Sequence, residues 1–211
     1  MRTIAVCNGK GGCGKSTIAT ALADECQRRN LRSLVVDCDA PQYTALRWSR
    51  AGEVPAVALT DLAELPRLAS GYDRIVIDTA GRDDASMRAA IMLADLVLIP
   101  VQPTPADLWA AADTIAVAKQ AMALRPGLAA ALLISRVDKR TTYGRTIRSA
   151  LEGSMPVLRT EIHQRNDYAA SMASGQGPST YSPTSKASAE VRALFEEIHD
   201  AHAQAPESLS A

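Results

Sequence analysis

Residues Gly9-Lys10-Gly11-Gly12-Cys13-Gly14-Lys15-Ser16-Thr17 constrain the fold more tightly than any other part of the chain. They satisfy G-x-x-x-x-G-K-[ST] between a short aliphatic run and an amphipathic stretch, so the spacing predicts a strand, a glycine-rich loop and a helix in that order. Glycines allow successive backbone N–H groups to turn inward around phosphate oxygens, and the helix N-terminus adds partial positive charge. In such a loop Lys15 reaches the β- and γ-phosphates and the Ser16 hydroxyl ligates Mg²⁺, while Gly11, Gly12, Cys13, Gly14 and Thr17 complete the cradle. Cys13, among amides at a helix start, is a position where a thiolate is expected to be favoured.

Aliphatic runs over 3–7, 33–37, 74–78, 96–101 and 129–134 are mostly apolar on both faces, the pattern of parallel strands covered from two sides. Helical patterning over 16–29, 83–94, 107–122, 143–151, 166–174 and 187–203 supplies the covering layers. The expected fold is therefore α/β, a doubly wound, mainly parallel sheet with helices on both faces. At 211 residues the chain suits one domain, expected over 1–203, with 204–211 a frayed tail and the Gly/Ser/Pro-rich stretch 174–185 a surface loop. Aromatic residues are only 4% of the chain, so its core must be aliphatic and alanine-rich. No apolar run approaches the roughly 18–20 residues that cross a bilayer. The start, with one Arg and five apolar residues before Asn8, is too short for a secretory signal and predicts a cytoplasmic protein. Four cysteines, all by position 38 and without CxxC spacing, predict reduced thiols rather than disulfides or zinc. Equal numbers of basic and acidic residues, 23 each, exclude a uniformly basic coat.

Lys10 makes the loop read KGGCGKST, which resembles the deviant Walker A box of the ParA/MinD ATPases. The resemblance implies a P-loop NTPase that uses ATP and Mg²⁺ and dimerises on ATP, with Lys10 reaching across the interface to the partner's phosphates. A cation supplied in trans would tie hydrolysis to dimerisation. The run Val36-Asp37-Cys38-Asp39-Ala40-Pro41-Gln42 resembles that family's DxDPQ segment, with Ala40 standing between Asp39 and Pro41. By that match Asp39 positions the attacking water and Asp37 supports the Mg²⁺ shell; the other reading is that both aspartates cap the next helix. Ile75-Val76-Ile77-Asp78 is an apolar strand ending in a carboxylate, the Walker B arrangement, which makes Asp78 a metal residue. Pro103-Thr104-Pro105-Ala106-Asp107-Leu108-Trp109 resembles a proline-rich dimer-face segment, and equally reads as a strand stop and helix start.

Asp78-Thr79-Ala80-Gly81-Arg82 is also spelled like the DTAGR box of signal-recognition-particle GTPases. Ser135-Arg136-Val137-Asp138 sits where those proteins read guanine, which makes Arg136 and Asp138 candidate nucleotide contacts. Lys10 and the DxD segment favour ATP over GTP. A nitrogenase-type iron–sulfur role is disfavoured because no cysteine follows Cys38.

From Arg136 to Arg165 the chain carries a local charge of +4, and Arg145, Arg148 and Arg165 are candidate contacts to non-specific DNA; an ordinary solvated face is the alternative. The last helix carries Glu190, Glu196, Glu197 and Asp200 against one Arg192, unlike a membrane-targeting helix, and Val191, Leu194, Phe195 and Ile198 read as a core-docking face. The resemblance thus implies a small, nucleoid-associated partition ATPase without an additional N-terminal DNA-binding domain, acting on a plasmid through a centromere-binding ParB-like adaptor. A protein cargo such as a carboxysome or chemoreceptor cluster is the second expectation, and a nucleotide-operated switch that hardly turns over is the third.

Overall fold

The computed structural model describes residues 2–81 and 85–203. Its elements in order are β1 (Thr3–Val6), α1 (Lys15–Arg28), β2 (Ser33–Asp37), α2 (Thr44–Ser49), β3 (Ala56–Ala58), α3 (Leu65–Ala69), β4 (Arg74–Asp78), α4 (Ala85–Leu93), β5 (Leu96–Val101), α5 (Pro105–Leu124), β6 (Ala129–Val137), α6 (Thr142–Leu151), β7 (Val157–His163), α7 (Asn166–Ala173), α8 (Pro178–Tyr181) and α9 (Lys186–Ala203). The strands form one sheet in the order β3-β2-β4-β1-β5-β6-β7, and every pairing is parallel. The fold is the α/β, doubly wound class that the sequence predicts.

Alternation along each strand divides the core into two layers. Ala5, Val36, Ile77 and Ile99 face one side, under Met87 and Ile91 of α4, Ala111 and Ile115 of α5, and Ile147 of α6. Ile4, Val6, Val35, Val76 and Leu98 face the other, under Ile18 and Leu22 of α1 and Val191, Leu194 and Ile198 of α9. Ala19 and Ala23 are the small residues that let α1 lie close to the sheet, and this is how a core poor in aromatics fills its volume. The apolar face of α9 is thus committed to the sheet, as its pattern predicts. Among the described residues no helix is long and apolar enough to cross a membrane.

Five strands and the main helices lie where expected, within a few residues. Two strands escape sequence reading. β3 has only three half-buried residues, and β7 is an edge strand interrupted by Arg159, Thr160 and Glu161. The stretch expected to be a surface loop over 174–185 instead contains α8, and Gly175, Gly177, Pro178 and Ser179 are buried. Its hold on the core is Asp24 of α1, which accepts from Thr180 Oγ1 at 2.9 Å and leaves no room for a side chain at Gly177. The expected frayed tail over 204–211, the first two positions of the helix expected from 83, and Arg82 lie outside the described residues.

Candidate functional site

Parallel strands bring all their C-terminal ends to one edge, which is where ligands of open α/β sheets bind. Register places Val6 beside Asp78, and Asp78 beside Asp37, so the loop leaving β1 and two carboxylates converge there. That loop enters α1 through Gly14, whose φ of 96° is a left-handed value that side-chain-bearing residues rarely adopt; Gly12, at 79°, shares this geometry. No side chain caps α1, so its first N–H groups are left for an anion. Gly81, after β4, presses on the same loop from below: a Cβ there would stand 2.9 Å from Gly11 Cα.

The loop is braced from three sides. Ser135 Oγ donates to the Cys13 carbonyl at 3.0 Å, and Gly12 carbonyl accepts from Gln102 Nε2 at 2.6 Å and from Arg136 Nη1 at 3.1 Å. Arg136 reaches it because the β6–β7 register shifts between Ile134 and Val137, and Arg136 sits at the irregularity with φ 49°. Lys15 is buried within the loop, its ammonium donating to the Lys10 carbonyl at 2.8 Å.

Asp78 is fully buried, and neither of its carboxylate oxygens has a hydrogen-bond partner of ordinary geometry. Burial, reinforced by the neighbouring Asp37 charge and opposed by the Ser16 hydroxyl and Lys15, pushes its pKa up to about 7. An orphaned carboxylate facing the Ser16 hydroxyl fits a hydrated Mg²⁺ held by one or two protein oxygens together with nucleotide phosphates. Asp37, equally buried, has a different task first: its two oxygens accept from Asp39 N and Leu46 N, both at 3.0 Å, and so shape the turn that carries Asp39. Asp39 itself lines the cleft.

Lys10 points elsewhere. Its ammonium pairs with Asp107 Oδ2 at 2.6 Å, where the lysine side chain is 35% exposed and the aspartate 1%. Thr104 caps α5, with Pro105 following, so the segment 103–109 does start a helix; it also holds Asp107 through the Thr104 hydroxyl. Trp109, two residues on, is 72% exposed.

The cleft has a volume of about 430 Å³. Gly11, Gly12, Gly14, Lys15, Ser16 and Thr17 form its phosphate end; Arg136, His163, Gln164, Arg165, Tyr168 and Met172 form the far wall. Of that far wall, the sequence singles out Arg136 as a nucleotide contact and Arg165 only as a surface charge, and nothing in the composition of 162–172 marks the others.

Three expectations need correction. Asp138 is not among the residues that line the cleft: its carboxylate accepts from Arg140 N, Nε and Nη2, and these contacts lower its pKa to about 2. Arg165 is not a free DNA contact, because it lines the cleft and is tied to Glu190. Cys13 is buried and its thiol is pushed up by desolvation, the opposite of the expected thiolate. On the outer face, Arg148 pairs with Glu161, Arg159 with Glu197, and exposed Arg145 donates to the Arg140 carbonyl. Carboxylates of α9, Glu190 and Glu197, come in beside this face and reduce the surplus of positive charge read from the sequence.

A family model described as the CobQ/CobB/MinD/ParA nucleotide binding domain matches residues 4–178. The chain is 34% identical to Maintenance of carboxysome distribution protein A from Halothiobacillus neapolitanus, over 79% of this chain and 81% of that protein. It is 29% identical to Protein ParA from Rhizobium radiobacter, over 81% and 82%. The septum site-determining protein MinD from Pyrococcus horikoshii, solved with Mg-ADP, superposes with a TM-score of 0.73 at 20% identity, covering 93% of this chain and 95% of that one.

Proposed function

From the premise that the chain belongs to the CobQ/CobB/MinD/ParA nucleotide-binding family, we propose that it is an ATPase which dimerises on ATP, binds DNA without sequence preference and positions a cargo through hydrolysis. The observation that carries this reading is the pair of loop lysines with separate destinations. Lys15 is built into the phosphate cradle, whereas Lys10 lies outside the cleft lining, partly exposed and parked on Asp107 beside exposed Trp109. A cation so placed neutralises little of its own protomer's phosphate charge and is available to a second protomer's. Ser16 and Asp78 would hold Mg²⁺, which when bound draws charge from the transferring phosphoryl group. Asp39, on the turn shaped by Asp37, would orient water at the open side of the cleft.

DNA binding would rest on Arg145 and Arg148 of α6 with neighbouring exposed Arg140 and Arg159. The guanidiniums of Arg140, Arg145 and Arg159 are exposed, so each can meet a DNA phosphate from solvent, and Arg148 stands beside them, half-buried on Glu161. For cargo, similarity to the carboxysome distribution protein favours a protein assembly; similarity to Protein ParA favours a plasmid held by a ParB-like adaptor. The test is binding to unrelated duplexes of equal length with ATP, ADP or no nucleotide across a salt series. Binding that needs ATP, ignores sequence and weakens with salt supports the reading, and nucleotide-independent or salt-insensitive binding refutes it. In the source cell, gene deletion separates the cargoes: clustering of a protein assembly points to the first, plasmid loss to the second.

A further inference from the structure

The far wall of the cleft is not self-supporting. His163 ends β7, Arg165 precedes α7 and Tyr168 lies on its first turn, so these three cleft-lining residues leave the backbone at different points along an edge strand and the turn that follows it. One carboxylate gathers all three. Glu190 of α9 accepts from His163 N at 3.1 Å, lies 2.8 Å from His163 Nδ1, accepts from Arg165 Nε at 2.7 Å and from Tyr168 Oη at 3.0 Å, and pairs with Arg165 Nη2 at 2.5 Å. Because a carboxylate can only accept, His163 must present a protonated Nδ1 to it. Glu190 does not itself line the cleft, and its side chain is only 12% exposed.

We infer that Glu190 is a positioning residue for the base-and-sugar end of the nucleotide site, acting through Arg165, His163 and Tyr168. The inference rests on the nucleotide-site reading above. The phosphates are held by the loop before α1 and need nothing from α9, while whatever extends beyond them must lie against the wall that Glu190 organises. Charge-assisted hydrogen bonds to a nearly buried carboxylate are strong and directional. Losing that acceptor frees an arginine to swing and leaves a tyrosine hydroxyl without its main partner; the Ala187 carbonyl, at 3.4 Å, is its other hydrogen-bond acceptor among the described residues. The consequence should fall on nucleoside recognition and leave phosphate capture alone.

The experiment measures binding of ATP and of inorganic tripolyphosphate, each with Mg²⁺, to the full chain and to Glu190→Ala and Glu190→Gln. Glu190→Ala should lose about tenfold or more in ATP affinity and keep tripolyphosphate affinity within about twofold. Glu190→Gln, which keeps one acceptor oxygen without the charge, should fall between, and it carries the test if the alanine variant does not fold. KM for ATP should rise while kcat holds. Arg165→Ala should add little to the ATP defect once Glu190 is gone, since both changes remove the same arrangement. ATP affinity unchanged in Glu190→Ala overturns the inference, as does an equal loss of ATP and tripolyphosphate, which would mark a general loosening of the fold. A parent protein that bound neither probe would instead bring down the nucleotide-site reading itself.

Discussion

Asp78→Asn separates the metal role proposed for this carboxylate from the cost of burying its charge in an apolar sheet. An aspartate that titrates at 3.8 in the open chain titrates near 7 when folded, because burial disfavours its charge and Asp37 repels it. With the folded pKa raised, the stabilising contribution of this group is fully present below 3.8 and is lost as pH rises through about 7. Between pH 5 and pH 8 the parent protein should lose at most about 3 kcal/mol through this group alone. The asparagine variant carries no such charge and escapes the loss. Its advantage over the parent should therefore be larger at pH 8 than at pH 5 by up to about 3 kcal/mol, or roughly 6–12 °C in Tm for a chain of this size. The double difference is the quantity to read, since any cost of seating a buried amide is the same at both pH values. Thermal melts of both proteins without nucleotide supply it. Mg²⁺ with ATP at pH 8 should then raise the parent's Tm and leave the variant with little metal-dependent gain. A double difference within about 1 °C, or one of opposite sign, would show that Asp78 is not a strained carboxylate awaiting a cation.

Gly81→Ala should force a Cβ to 2.9 Å from Gly11 Cα, and since both sides are backbone the phosphate loop must shift; a loss of about 1–3 kcal/mol in ATP binding by titration calorimetry is expected. Lys15→Ala should weaken nucleotide binding itself, whereas Lys10→Ala should retain ATP but lose turnover and ATP-dependent dimerisation by light scattering. The Lys10 variant should also be less stable by about 1–3 kcal/mol, because Asp107 is left buried without its cation. Asp39→Ala should slow hydrolysis about a hundredfold or more while ATP stays bound, so the variant accumulates as a dimer on DNA; a monomer with normal turnover would transfer the role to another group.

Much of this molecule was open to reading along the chain, because its strongest signals are local. A glycine loop between strand and helix declares its own geometry, since left-handed φ at Gly12 and Gly14 needs no distant partner. Strands buried on both faces announce themselves by unbroken aliphatic runs, and Asp37 and Asp78 by standing at the ends of such runs. Edge elements carry no such mark. β7 holds Arg159, Thr160 and Glu161 because Arg159 meets solvent and Glu197 of α9 while Glu161 meets Arg148 of α6, so it reads as a basic stretch and not as a strand.

What the sequence determined by itself is therefore the glycine loop between strand and helix, the carboxylates at the strand ends and the parallel α/β fold. Tertiary structure alone decided how the side chains of remote segments pair. It set Lys10 on Asp107, 97 residues away, and turned Arg165 from a surface charge into part of the cleft by bringing up Glu190. Chain periodicity records which face of an element is apolar, but whether a charged group serves a ligand, a nucleic acid or another side chain depends on the nearest opposite charge in space, and that is known only once the sheet has assembled.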